Sequence, residues 1–166
     1  MIRELHEEDV SDMALYLRNG IRENNIYTSS FTNKENYILK NLRHSFFSFE
    51  IYAVGEYIND DLCGIVLMDQ PQNEKCSFMN ISVCSIENSQ LLKEAVRSAF
   101  ESNQNITKIK ILVTSQQLIA GFCKMLEDCH FDNELCLRKY HNSSKNVFIY
   151  SCYRKWMKVD ENERSY

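Results

Sequence analysis

The feature that most constrains this chain is a helix caught between two apolar strands. Cys76 to Cys84 alternates Cys76, Phe78, Asn80 and Ser82 with Ser77, Met79, Ile81 and Val83, so both faces carry apolar residues, as in an inner strand. Ile106 to Val113 is a second strand, rich in β-branched residues. Between them, Asn88 or Ser89 caps a helix running to about Glu101, with Leu91, Leu92, Ala95, Val96 and Ala99 on one stripe. A helix of that length lets the two strands lie parallel through a right-handed crossover.

The remaining elements build around this unit. Ile51–Ile58 and Leu62–Met68 flank the turn Asn59-Asp60-Asp61 and read as an antiparallel hairpin. A polar turn over residues 69–74 holds the only proline, Pro71. Upstream, Ile2–Leu5 is a short first strand. Residues 7–19 are a helix with Val10, Met13, Ala14 and Leu17 at helical spacing and Gly20 as its stop. Asn24–Thr32 reads as a loop, and Thr32-Asn33-Lys34-Glu35 as a capping box opening a second helix to about Arg43. Downstream, Ser115 caps a helix with Leu118, Ile119, Phe122, Leu126 and Cys129 on one face. Leu135–Tyr140 and Val147–Tyr153 form a last hairpin across the polar link 141–146.

The predicted fold is therefore α/β, an α+β sandwich. It has a mixed, mostly antiparallel sheet of about seven strands with helices on both faces. One domain covers residues 1–156, and 157–166 is a polar tail.

Composition narrows the function. The 166 residues are 44% hydrophobic and 25% charged, ordinary for a globular domain, with net charge −4. A nucleic-acid binder shows a basic face, and the only basic stretch, Arg154–Lys158, reads as solvated, so no nucleic acid is expected. No apolar run reaches the ~18 residues of a membrane helix, so no membrane is expected either. The acidic start Met1–Asp9 does not read as a signal peptide. The seven cysteines contain no Cys-x-x-Cys pair. Cys123, Cys129 and His130 come closest to a metal set, and adjacent Cys129 and His130 are poor co-ligands. Reduced thiols and a cytoplasmic location follow. Cys84 and Cys129 would be nucleophiles only beside a base or a positive charge. His6, His44, His130 and His141 are scattered, and there is neither a Gly-x-Ser-x-Gly elbow nor a phosphate-binding Gly-Lys-Ser/Thr loop.

Several segments resemble the GNAT-type N-acetyltransferases. Ile2-Arg3-Glu4-Leu5 with Glu8-Asp9-Val10 looks like that family's first strand and helix. Cys63-Gly64-Ile65-Val66 looks like its third strand, and Ile81-Ser82-Val83 like the end of its fourth. Met125–Phe131 is similar to the end of its fourth helix, with His130 at the family's glycine and Phe131 matching. The resemblance implies acetyl-CoA held where the fourth and fifth strands part. There, unpaired backbone groups bond the pantetheine arm, and a turn of pattern Arg/Gln-x-x-Gly-x-Gly/Ala cradles the pyrophosphate. The implied contacts are Ser82, Val83, Cys84, Ser85, Asn88 and Ser89. The segment Cys84–Gln90 departs from that pattern, for it holds no Gly, Arg or Lys and it holds Glu87. The family's acidic tyrosine falls near Leu126 and its capping asparagine near Ile119. Glu74 and Glu87, flanking the fourth strand, are the candidate bases. Phe46, Phe47, Phe49 and Tyr52 suggest an aromatic acceptor pocket. Two functions are carried forward: an acetyltransferase acting on a small-molecule or peptide amine, and a catalytically inactive binding or assembly module of the same fold. An exposed edge among the final strands would allow a homodimer.

Overall fold

The computed structural model describes residues 1–29, 42–71, 75–86, 88–118, 120–138 and 145–156. Strand β1 (Ile2–Glu4) leads through a 3-10 turn (Glu7–Asp9) into α1 (Val10–Glu23). Then come β2 (Ile26–Thr28), a helical segment α2 over 42–47, β3 (Ile51–Ile58), β4 (Asp61–Asp69) and β5 (Phe78–Ser85). Helix α3 (Ser89–Ser102) crosses to β6 (Lys108–Thr114), and α4 (Ala120–Asp128), β7 (Asp132–Leu137) and β8 (Val147–Tyr153) follow. The capping box at 32–35 lies outside the described residues.

One eight-stranded sheet runs β1-β3-β4-β5-β6-β8-β7, with β2 paired to β5 off that path. Among the described residues only β5 and β6 run parallel, as the crossover helix requires. The β3–β4 hairpin turns at Asn59 and Asp60, both left-handed (φ 52° and 68°). Two consecutive positive φ values match the twist of a hairpin, and Asn and Asp tolerate them. Alternation then sorts the strands between two cores. Val66, Met68, Ile81 and Cys84 pack with Leu91, Leu92 and Val96 of α3 and Phe122 of α4. Ile65, Leu67 and Val83 pack on the other face with Met13 and Leu17 of α1 and Leu42 of α2.

Helix α2 runs to residue 47, past the expected end near Arg43, β5 and β6 each start two residues later than the apolar pattern, and three further boundaries also differ. Helix α1 passes through Gly20 and ends at Asn24, whose φ of 56° makes it the left-handed cap. Gly20 serves close approach instead: a Cβ there would sit 2.0 Å from Ile26 Cδ1. Helix α4 starts at residue 120, because Ser115 lies in a turn that Gln117 closes by accepting from the Thr114 N–H at 2.9 Å. Strand β7 spans Asp132–Leu137, three residues earlier than the apolar pattern suggested, with an irregularity between Asn133 and Leu135. The largest difference is β2, a strand where a loop was expected.

Candidate functional site

Strands β5 and β6 touch over one short stretch. Phe78, Met79 and Asn80 face Lys108, Ile109 and Lys110, and beyond them the strands part. The gap is where the resemblance places an acyl carrier. Here β2 lies in it. Ile26, Tyr27 and Thr28 pair antiparallel with Ser85, Cys84 and Val83. Cys84 and Val83 already pair with Val66 and Leu67 of β4 on their other edge. A strand has two hydrogen-bonding edges, so β2 occupies the edge that faces β6. The pairing extends past both ends of β2. The Ser29 N–H donates to the Ser82 carbonyl and the Ile86 N–H to the Asn25 carbonyl, each at 2.9 Å.

The inserted strand is also tied to the far wall. The Tyr27 hydroxyl donates to the Leu112 carbonyl of β6 at 2.6 Å. Its ring stacks on Phe122 of α4, with centroids 5.4 Å apart and planes 22° from parallel. Tyr27 is only 2% exposed, and burial raises its phenol pKa strongly. Gln117 Nε2 donates to the Thr28 carbonyl at 2.9 Å. The gap is thus bridged from β5 through β2 to β6 and α4 by the chain itself.

The start of α3 is equally committed. Asn88 Oδ1 accepts from the Leu91 N–H at 3.0 Å, and Asn88 Nδ2 donates to Glu56 Oε2 at 2.7 Å. A carboxylate from β3 therefore faces the positive end of the helix, where a pyrophosphate would find its potential. Gly64 lets β4 approach the same turn, since a Cβ there would lie 2.7 Å from Leu91 Cδ2.

Ser82 Oγ donates to the Leu67 carbonyl at 3.3 Å. Val83 is buried in the α1 core. Cys84 is fully buried, and burial raises its thiol pKa, which does not suit a nucleophile. Burial likewise pushes Cys129 up to about 11. Ser85 Oγ accepts from the Ile65 N–H at 2.8 Å, donates to the Ile65 carbonyl at 3.2 Å and lies 2.9 Å from the Tyr16 hydroxyl. Asn88 is the cap just described, and the Ser89 carbonyl accepts from the Cys129 thiol at 3.4 Å. Glu74 and Glu87 lie outside the described residues. Met125 and Leu126 are buried apolar groups. His130 adopts φ 62°, the left-handed form that explains why a glycine suits that junction. The aromatic cluster is divided by the sheet: Tyr52 joins the α3 core, Phe46 packs on the α1 core, and Phe47 and Phe49 are exposed. Among the described residues no group of three His, Cys, Asp or Glu could hold a metal. Among them, too, no helix is long and apolar enough to cross a membrane.

Tyr27 and Gln117 are the residues that sequence reasoning missed. The strand-prone triplet Ile26-Tyr27-Thr28 was the available signal.

No protein-family model matches the sequence, and no curated protein matches it. Solved structures do match. An acetyltransferase of the GNAT family from Streptococcus pneumoniae superposes with a TM-score of 0.69 at 16% identity, covering 92% of this chain and 98% of its own. The ribosomal-protein-S5-alanine acetyltransferase from Vibrio fischeri gives 0.69 at 10% identity, covering 92% and 91%. A variant of the spermidine N-acetyltransferase SpeG from Vibrio cholerae gives 0.67 at 16%, covering 95% and 96%. The chain has the GNAT fold.

Proposed function

We propose that this GNAT-fold chain is a binding or assembly module in which β2 stands where the arm of acetyl-CoA would lie. The observation that carries this is the pairing of Ile26–Thr28 with Val83–Ser85 on the β6-facing edge of β5. The backbone groups that a pantetheine arm would use are taken, so the residues present do not fit the cofactor. Two further features support the reading. Glu56 puts a carboxylate at the α3 N-terminus, and residues 84–90 offer no glycine or cation to an anion. Admitting the cofactor would mean expelling Tyr27, and fully burying a large side chain is worth about 1.5–3 kcal/mol. Reduced cysteines suit a cytoplasmic module, with residues 1–156 as its domain and the final strands as a self-association edge.

A second reading is favoured by the fold match over more than nine-tenths of the chain to solved acetyltransferases. In it the protein transfers an acetyl group from acetyl-CoA to a small-molecule or peptide amine. Ser82, Val83, Cys84, Ser85, Asn88 and Ser89 would contact the cofactor once β2 withdrew, with Glu74 or Glu87 as base.

Titration calorimetry with acetyl-CoA separates the two. The module reading expects no saturable heat from the wild type at millimolar cofactor. Binding in the micromolar range, with catalytic turnover on any amine, would overturn it in favour of the second.

A further inference from the structure

Strand β6 has two unlike faces. Ile109 and Ile111 point into the core built with α3 and α4, so Lys108 and Lys110 point to the opposite side of the sheet. On that side the second core takes residues from β3, β4 and β5, and among the described residues none from β6 or β8. Lysines and rings occupy this part of the sheet face instead. Phe78 of β5 lies beside Lys108, and Lys108 beside Tyr153 of β8. Lys110 Nζ is 3.6 Å from the centroid of the Phe78 ring, and Lys108 Nζ is 5.0 Å from that of Tyr153. Lys155 Nζ reaches the Tyr153 ring at 5.6 Å and the Trp156 ring at 5.9 Å, and those two rings meet edge to face at 4.6 Å. Lys108 is matched by Glu134, 2.5 Å away, which also accepts from Ser151 and Tyr153. Among the described residues neither Lys110 nor Lys155 has a carboxylate at ion-pair distance.

The negative face of a ring attracts an ammonium and keeps it charged. An ammonium already held in place loses less freedom when an anion arrives. This face therefore offers two placed and unmatched positive charges set among aromatic rings. We propose that it docks a short acidic peptide segment of a partner protein, with carboxylates on Lys110 and Lys155 and aliphatic stems on Phe78 and Trp156. Charge complementarity selects the acidic partner, and two features select a peptide over a nucleic acid. The faces of Phe78 and Tyr153 already carry ammonium groups, which leaves no stacking platform for bases there. The row through Lys110 continues past Asn80 to Asp69 and past Ser151 to Asp132, each two strand spacings or about 10 Å away. A polyphosphate strand crossing the sheet meets both aspartates, whereas a side-chain carboxylate sits between them. The proposal gives the binding module a partner. The patch lies on the β5–β6 contact and not in the gap beyond it, and its test uses no acetyl-CoA, so either reading can fail alone.

The probe is fluorescein-labelled hexaglutamate, followed by anisotropy at low ionic strength, where surface charge is least screened. Trp156 is the only tryptophan of the chain, so its emission reports whether the peptide sits on this face. The full-length wild type should bind hexaglutamate saturably with a change in Trp156 emission, and should not bind labelled hexaglutamine. Lys110→Met keeps a stem on Phe78 and should weaken binding several-fold. Lys155→Gln, at an exposed position, should do the same without touching the sheet. Lys124→Met, on α4 across the sheet, should leave binding unchanged. Binding without a Trp156 change, or equal weakening by Lys124→Met, would overturn the proposal. So would wild-type affinity in folded Lys110→Met and Lys155→Gln. Tighter binding of oligothymidylate through the same lysines would overturn it in favour of a nucleic acid. Absence of saturable binding to the wild type would also overturn it. If a full-length variant carrying Asp160→Asn, Glu161→Gln and Glu163→Gln then binds, the occupant is the chain's own acidic stretch and not a partner.

Discussion

Strand β5 keeps different company at its two ends. Phe78–Asn80 run parallel beside β6, and the Met79–Ile109 rung between them is almost fully buried. Val83–Ser85 run antiparallel beside a visiting segment of three residues. At the first end the sheet continues because two long strands share a core. At the second it continues because one tyrosine and one glutamine fasten a short strand to the opposite wall. A three-residue strand has almost no stability of its own. One β-strand can therefore hold both a permanent seam and a docked one, and the docked seam is the more easily tested.

The largest effect should come from Tyr27→Ala. It removes the buried ring, the Phe122 stack and the bond to Leu112, and losses of about 3–5 kcal/mol accompany such aromatic truncations. Hydrogen exchange gives the comparison its sharpest form. The Ser29 and Ile86 amides should exchange much faster while the Ile109 amide keeps its protection. Uniform acceleration at both ends would mean that the two seams are one cooperative unit. Next comes Gly20→Ala, whose new methyl meets the Ile26 side chain. Overpacking of this kind costs about 1–3 kcal/mol, and the denaturant midpoint should fall with the slope unchanged. Asn88→Ala should cost about 1 kcal/mol through the lost helix cap, and it also leaves Glu56 without its donor. If this variant gains affinity for inorganic pyrophosphate, the α3 turn is an anion site after all.

A control lies far from the gap. The Asp9 carboxyl is held at about 2, below the usual 3.8, first by Arg3, against the cost of burial, and then by the His6 N–H and Tyr57. A depressed carboxylate stabilises above its unfolded pKa and loses that contribution as pH falls through its folded value. The window is thus from near pH 4 down to about 2. Arg3 is one-third exposed, so solvent screening trims the gain. Melting curves of the wild type should drop across that window, whereas Asp9→Asn should start lower and change less there.

Much of this architecture was legible because its signals are local. Asn59 and Asp60 announce the β3–β4 turn, and the stripe from Leu91 to Ala99 announces α3 and with it the parallel pair. What was hidden rests on distant partners. Gly20 looks like a helix stop until Ile26 is seen against it. Ile26–Thr28 looks like a loop until it meets Val83–Ser85, because three residues are too few to show a period. The candidate site was legible in the same uneven way. The resemblance, and not the order of elements by itself, pointed to Ser82–Ser85, Asn88 and Ser89 as the cofactor side, and the missing glycines could be counted. The occupant could not be read, because nothing near Tyr27 in sequence reveals that its hydroxyl ends on Leu112.

That 85-residue separation between Tyr27 and Leu112 sets a timetable for synthesis. While the polypeptide emerges from the ribosome, α1 and the β3–β4 hairpin can assemble from what is already outside. Tyr27 cannot reach its resting place until β6 and α4 have left the exit tunnel. Long-range closure of this kind is slow, so the nascent chain carries a bare sheet edge through much of its translation, and chaperones have the most to cover there.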